Sequence, residues 1–358
     1  MTPAALQVTG LTVEFPTRRG KLTALSDVSL DIQPGEILGV VGESGAGKSM
    51  TGMAVLGLLE APGRITSGEI RIDGQRTDRL SEAEMAKVRG RIVGAIFQDP
   101  LTSLNPLFSV GRQLEETIRL HSDLDRKGAR ARAVALLKQV GIPGAEERLD
   151  HYPHQFSGGM RQRVVIALAL AGEPRLVIAD EPTTALDVSI QAQITALLRR
   201  LCKEKGAGVM LVTHDMGVIA ETADRVAVMY AGRVVEIGTV AEVLTRPRHP
   251  YTRGLMGSIP ALGARVERLQ QIDGAMPRLN AIPEGCAFNP RCPDAGPRCR
   301  RERPPLIQAE GTAQARPAET RRFDPMNPLP AERPPMGGSG GETRPGLAAC
   351  WLMTGDVG

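Results

Sequence analysis

The chain has 358 residues, with 44 Lys and Arg against 40 Asp and Glu, and 42% of it is hydrophobic. That length predicts two or three structural units, and that hydrophobic share supplies material for a real core. A net charge of +4 argues against a dedicated nucleic-acid binder, which carries a basic stripe or a far larger excess. No run approaches the ~20 apolar residues that span a bilayer; the longest, Val164 to Ala171, has the length of a core helix. Met1 to Ala5 show no basic segment leading into an apolar one. The expectation is a soluble, cytosolic chain that meets a membrane only through a partner.

Strand-like and helix-like segments alternate up to about residue 281, the pattern of an α/β domain. Ile37 to Val41 is a short apolar run that predicts a buried strand. Directly after it, Gly42-Glu43-Ser44-Gly45-Ala46-Gly47-Lys48-Ser49 fits G-x-x-x-x-G-K-[ST] and opens a helix-like run from Ser49 to Leu59. Glycines let backbone N–H groups turn toward an anion, and the helix start adds its positive end. In this pattern Lys48 reaches the β- and γ-phosphates and the Ser49 hydroxyl binds Mg²⁺. Gln98 ends the segment Ile96-Phe97-Gln98, where its amide can reach Mg²⁺ or a water. Ala133, Leu136, Leu137 and Val140 recur at the spacing of one amphipathic helix face.

Leu176 to Ala179 predicts a second buried strand, ending in Asp180-Glu181. A carboxylate after four apolar residues is costly to bury unless a cation meets it. Asp180 therefore reads as the Mg²⁺ ligand, and Glu181 as the general base that polarises the attacking water. A third strand, Val209 to Val212, leads to His214 at the sheet edge where ligands bind, within reach of a γ-phosphate.

Phe156-Ser157-Gly158-Gly159-Met160, followed by Arg161-Gln162-Arg163, resembles the Leu-Ser-Gly-Gly-Gln signature of ABC transporter ATPases, departing from it at both ends. Ser157 can cap the helix that follows, with glycine N–H groups exposed beside it. The resemblance implies a P-loop ABC-type α/β fold: a mixed sheet with flanking helices, a small antiparallel β-subdomain, and a helical subdomain at about 100–165. It implies an ATPase domain over 1–245 and a C-terminal extension over 246–358. It implies ATP binding by Phe15 (stacked on adenine), Gly42, Ser44, Gly45, Ala46, Gly47, Lys48, Ser49 and Met50, with Ser157, Gly158 and Gly159 completing a partner's ATP site. Ala185-Leu186-Asp187 resembles the loop that crosses the dimer interface.

Three further segments narrow the resemblance to the oligopeptide/dipeptide importer branch. They are Phe97 to Pro106, His249 to Met256 and Gly285 to Pro293. Nickel and glutathione importers have similar ATPases. The partners so implied are two transmembrane permease subunits, a second ATPase subunit and, indirectly, an extracytoplasmic solute-binding protein, with no nucleic acid. The place implied is the cytoplasmic face of the inner membrane. A soluble ABC-type ATPase acting on nucleic acid or ribosomes is the rival class; such chains carry two cassettes or a long coiled coil, and this one has neither.

Composition changes near residue 281: beyond it lie 13 of the 27 prolines and four of the five cysteines. Cys286, Cys292 and Cys299 are spaced C-x5-C-x6-C, and Cys350 follows far downstream. Disulfides do not suit a reducing cytosol, and the spacing is wider than that of most zinc pairs. An iron–sulfur cluster, zinc or free thiols remain as readings; the resemblance implies a [4Fe–4S] cluster. Cys202 sits in a helix-like run and reads as a packing residue. Ala331 to Pro345, rich in Pro and Gly, reads as a linker.

Overall fold

Leu6, Val8, Leu11 and Val13 are buried while Gln7 and Thr9 are exposed, the alternation of a strand with one face on a core. The computed structural model describes residues 3–18, 20–184, 186–258, 271–308 and 346–354. They fall into two units, Met1–Val234 with Arg278–Ala281, and Val235–Pro277 with Ile282–Gly358. The expected linker over 331–345 and Ala185 lie outside the described residues.

In the first unit, β1 (Leu6–Thr17) pairs antiparallel with β2 (Gly20–Ile32) and with β4 (Arg64–Ile72), and β4 pairs with β5 (Gln75–Arg76). The register shifts near Gly10, whose φ of 58° only glycine adopts freely. This is the small antiparallel sheet. A second sheet is built otherwise. β3 (Ile37–Val41) and β8 (Gly208–Val212) are buried at every residue, as strands covered on both faces must be. β3 lies between β8 and β9 (Arg225–Tyr230), and β8 continues through β7 (Leu176–Asp180) to β6 (Val93–Ile96), all parallel.

The helix after the glycine loop runs Lys48–Leu56, shorter at its C-terminus than the periodicity suggests. Gly57 turns left-handed there, at φ 64°, and its N–H bonds back to the carbonyl of Ala54. Helices then fill the stretch from Pro100 to Ala169. Ala133, Leu136 and Leu137 are buried in the helix Arg126–Gln139, and Val140 is buried at its end. Ser109, Asp125 and Ser157 each cap a helix start with a side-chain oxygen.

The described residues of the second unit form only short helices and strands. β10 (Arg233–Thr239) carries the chain into it. There β12 (Leu347–Ala348) pairs antiparallel with β10, through Glu236 and Ile237, and with β11 (Ile307–Gln308). Two residues beyond β12 comes Cys350. Trp351 donates its indole N–H to the Glu302 carbonyl at 3.1 Å and lies 3.6 Å beneath the Arg298 guanidinium. Cys286 and Cys299 are tied backbone to backbone, the Cys286 N–H donating to the Cys299 carbonyl at 2.8 Å. Gly285 allows that approach: its φ is 69°, and a Cβ there would lie 2.4 Å from the Cys299 oxygen. Replacing Gly285 by Ala is expected to destabilise this unit by about 1–3 kcal/mol. Limited proteolysis would show it as faster cleavage beyond residue 282, with the first unit intact.

Candidate active site

The C-terminal ends of β3, β7 and β8 converge, and each delivers polar groups that the strand itself excludes. From β3 comes the glycine loop. Gly42 packs so closely that a Cβ would lie 2.3 Å from the Met229 carbonyl oxygen. Gly47, at φ 103°, precedes the helix and faces Leu25. The first-turn N–H groups of Lys48, Ser49 and Met50 have no partners within their helix and point out of its end. Ser44, Gly45 and Ala46 form the arch between. Lys48 is buried, and its Nζ donates to the carbonyls of Gly42 (2.8 Å) and Glu43 (3.1 Å). Burial pulls its pKa below the ordinary lysine value, against the opposing pull of Glu181, Asp180 and Glu43. An anion brought to the loop would restore the favour of the charged form.

β7 delivers Asp180, whose carboxylate accepts a hydrogen bond from the Ser49 hydroxyl at 3.0 Å. Burial raises its pKa, with the Ser49 bond acting the other way. Glu181 follows with φ 46°, a left-handed backbone uncommon for a residue with a side chain. Its Oε2 accepts from Gln98 Nε2 (3.1 Å) and from the Thr184 hydroxyl (2.8 Å), and its Oε1 pairs with His214 Nδ1 (3.2 Å). Burial pushes this carboxyl up, but the bonds from Thr184 and His214 outweigh it and leave the pKa below the usual glutamate value. Glu181 is therefore an oriented, ionised carboxylate. The structure brings together Glu181, Gln98 and His214, which the sequence singles out, and adds Thr184, whose only signal is its place in the turn after the two carboxylates. The Ser49 hydroxyl, the Asp180 carboxylate and the Gln98 amide oxygen, left over once its NH₂ is bonded, are hard oxygen donors that suit Mg²⁺.

Other expected residues lie apart from this cluster. Phe15 is half-buried on β1 with its ring edge over Gly63, where a Cβ would come within 2.6 Å. Ser157 accepts from the Met160 N–H at 3.4 Å and starts the helix Gly158–Ala169. Gly158 and Gly159 face Leu186 and Ile190 rather than the phosphate loop. Phe156 is buried, so the aromatic in place of leucine still anchors this helix start. Asp187 precedes the helix Val188–Lys205 without a side-chain cap. Cys202 is buried with its thiol on the Ala207 carbonyl, and burial pushes its pKa up to about 12, as for a packing residue.

A family profile described as ABC transporter matches residues 25–184, and one described as oligopeptide/dipeptide transporter, C-terminal region, matches residues 235–299. The dipeptide transport ATP-binding protein DppD of Escherichia coli is 47% identical over 85% of this chain and 93% of its own. Its Bacillus subtilis counterpart is 49% identical over 84% and 90%. The chain belongs to the ABC transporter family of ATP-binding proteins. Among solved structures, the dimeric ATP-binding cassette MJ0796, in a post-hydrolysis state with ADP and Pi, is similar with a TM-score of 0.59. It is 32% identical and covers 66% of this chain and 98% of its own. In this chain the phosphate loop, Glu181 and His214 gather at the C-terminal ends of parallel strands, where ligands bind in open α/β sheets. No helix among the described residues is long and apolar enough to cross a membrane.

The second unit holds a cavity lined by Cys286, Cys292, Cys299 and Cys350 together with His249 and Trp351. β12 brings Cys350 there, despite its distance in sequence. None of the four is in a disulfide. Burial raises the Cys292 thiol to about 11 and the Cys350 thiol to about 12. Among the described residues, no three His, Cys, Asp or Glu side chains come together as a site for one metal ion. A single zinc needs its sulfurs within about 4 Å of one another, since Zn–S is ~2.3 Å in a tetrahedron. Four thiols lining one cavity are the kind of donor set that an iron–sulfur cluster takes.

The Thr184 bond can be tested. Thr184→Val removes a donor that favours ionised Glu181, so the Glu181 pKa rises. Activity that depends on ionised Glu181 then fails at a higher pH as the medium is acidified. The expected result is an acid limb of the ATPase pH profile displaced upward, with little change at alkaline pH. An unmoved limb would take Thr184 out of the site.

Proposed function

We propose that this chain is the ATP-hydrolysing subunit of an importer for di- or oligopeptides. For the chemistry, the observation that carries the reading is the Glu181 carboxylate, ionised and held by Gln98, Thr184 and His214 beside Asp180 and Ser49. For the substrate class, the support is the C-terminal profile over 235–299 and the kinship with dipeptide transport proteins.

Lys48 and the N–H groups of Gly45 to Met50 bind the phosphates, and Phe15 stacks on the adenine. Ser49, Asp180 and Gln98 would hold Mg²⁺, which would neutralise charge on the phosphate oxygens. Glu181 takes the proton of the attacking water. His214 orients Glu181 through Nδ1–H, so its Nε2 can donate to a phosphate oxygen only as imidazolium. Two ATPase subunits sandwich ATP, with Ser157, Gly158 and Gly159 of each on the nucleotide of the other and Asp187 at the crossing loop. The dimeric state of the related cassette supports this arrangement. Leu101 and Leu107, 62% and 78% exposed on the segment after Gln98, give a permease pair apolar surface to hold. The subunit then works at the cytoplasmic face of the membrane, with a solute-binding protein on the other side.

The four cysteines would hold a [4Fe–4S] cluster, which would give an otherwise core-poor unit a covalent centre. Anaerobically purified protein should carry about four irons per chain. Cys292→Ser should lose them and expose the second unit to protease. Stoichiometric zinc without iron would refute the cluster.

Glu181→Gln is expected to lower steady-state ATPase at least ~100-fold, the lower range for loss of a general base, while ATP still binds. Size-exclusion chromatography with ATP should show the variant as a stable dimer with its partner ATPase. Turnover within a few-fold of wild type would remove Glu181 from its role. Affinity purification from membranes should bring down two permease subunits; recovery of nucleic acid in their place would overturn the transport reading.

A further inference from the structure

The cysteine cavity contains one group that ligation by thiolates does not use. His249 is fully buried on its wall, beside the four cysteines. Its ring is held at several points. The backbone N–H of His249 donates to Glu236 Oε2 at 2.9 Å, and the Phe288 ring lies 5.8 Å away, centroid to centroid. Nδ1 accepts the Tyr251 backbone N–H at 3.1 Å, capping the helix Pro250–Gly257.

That last bond decides the tautomer. A backbone amide only donates, so Nδ1 carries a lone pair and the ring proton sits on Nε2. Nε2 is buried and has no hydrogen-bond partner. Buried N–H groups rarely stay unpaired. The other polar side chains on the wall are engaged elsewhere: Asp294 with Arg253 at 2.7 Å, and Asn289 with the carbonyls of Glu284 and Cys286. The side chains of Pro250, Phe288 and Leu352 offer no acceptor. Sulfur is what remains. Nor can Nε2 serve as a metal ligand, because a bare Nε2 would move the proton to Nδ1 and set it against the Tyr251 N–H.

We propose that the Nε2–H of His249 donates a hydrogen bond to a sulfur of the iron–sulfur cluster held by Cys286, Cys292, Cys299 and Cys350, and thereby raises the reduction potential of that cluster. The inference rests on the cluster reading given above. Its physics is simple: the sulfurs gain negative charge on reduction, so a fixed donor stabilises the reduced state more than the oxidised one.

Two variants separate the two ends of the ring. His249→Asn keeps a short acceptor for the Tyr251 N–H and removes the distal donor. His249→Gln places an amide NH₂ near the position of Nε2. Anaerobic full-length protein is titrated with dithionite, and the reduced cluster is followed by electron paramagnetic resonance. At a fixed poise the Asn variant should show an about tenfold lower ratio of reduced to oxidised cluster, equivalent to a potential about 59 mV lower for one electron. The Gln variant should stay near wild type. In wild-type protein with isotope-labelled histidine, the reduced cluster should show a weak nitrogen hyperfine coupling. Four irons in the Asn variant, an unchanged potential and no coupling in the wild type would overturn the role of His249 and leave the cluster standing. Wild-type protein without iron would overturn the cluster itself. If the Asn variant loses its iron, the wild-type coupling decides the matter.

Discussion

A strand buried on both faces cannot carry charge along its length, and the site depends on that constraint. β3, β7 and β8 are apolar from Ile37 to Val41, from Leu176 to Ala179 and from Val209 to Val212. Each releases its polar chemistry at the C-terminal end: Lys48 and Ser49 after one, Asp180 and Glu181 after the next, His214 after the third. Because the strands are parallel and adjacent, these ends meet. Burial then sets the charges against their surroundings, with Lys48 drawn below and Asp180 pushed above their ordinary pKa values. Both shifts oppose ionisation, and a polyanion with a divalent cation is the kind of ligand that reverses both.

The second unit solves a different problem. Its described residues bury few large apolar side chains, and short strands, backbone ties and single anchors order them. β12 is only two residues long, yet its pairing between β10 and β11 carries Cys350 to the other three cysteines. Glu236, on β10, accepts the N–H groups of Arg248 and His249 and so sets the start of the next helix. Glu236 is buried, and burial raises its pKa despite those bonds. The same carboxylate thus positions the histidine whose Nε2 is left over.

The phosphate loop, the strand-end carboxylates and the signature helix were legible because their chemistry demands particular residues at short spacing. Glycine, lysine and serine in Gly42 to Ser49, or serine before paired glycines at Ser157, leave few alternatives. What was not legible depends on side chains meeting from distant segments. Nothing near Thr184 in sequence says that its hydroxyl faces Glu181. The left-handed turn at Glu181 has no glycine to announce it. The helix after the loop reads as longer than it is, because the apolar residues continue past Gly57 while the backbone does not. The gathering of Cys350 follows from strand pairing between segments far apart in the chain, which periodicity cannot register.

The place of β3 in the sheet has a consequence for how the protein is made. Its two neighbours, β8 and β9, lie far downstream; the Ile37 N–H bonds to Asp224 across a separation of 187 residues. At roughly 5–20 residues per second, the ribosome needs about 9–37 s to supply them. For most of that interval, until β8 is made, the apolar run Ile37–Val41 has neither of its neighbouring strands to pair with. The antiparallel sheet of β1, β2 and β4 closes within the first 72 residues and can form meanwhile. Synthesis therefore passes through a nascent chain whose nucleotide-binding loop exists before the sheet that will hold it, a natural client for a chaperone at the exit tunnel.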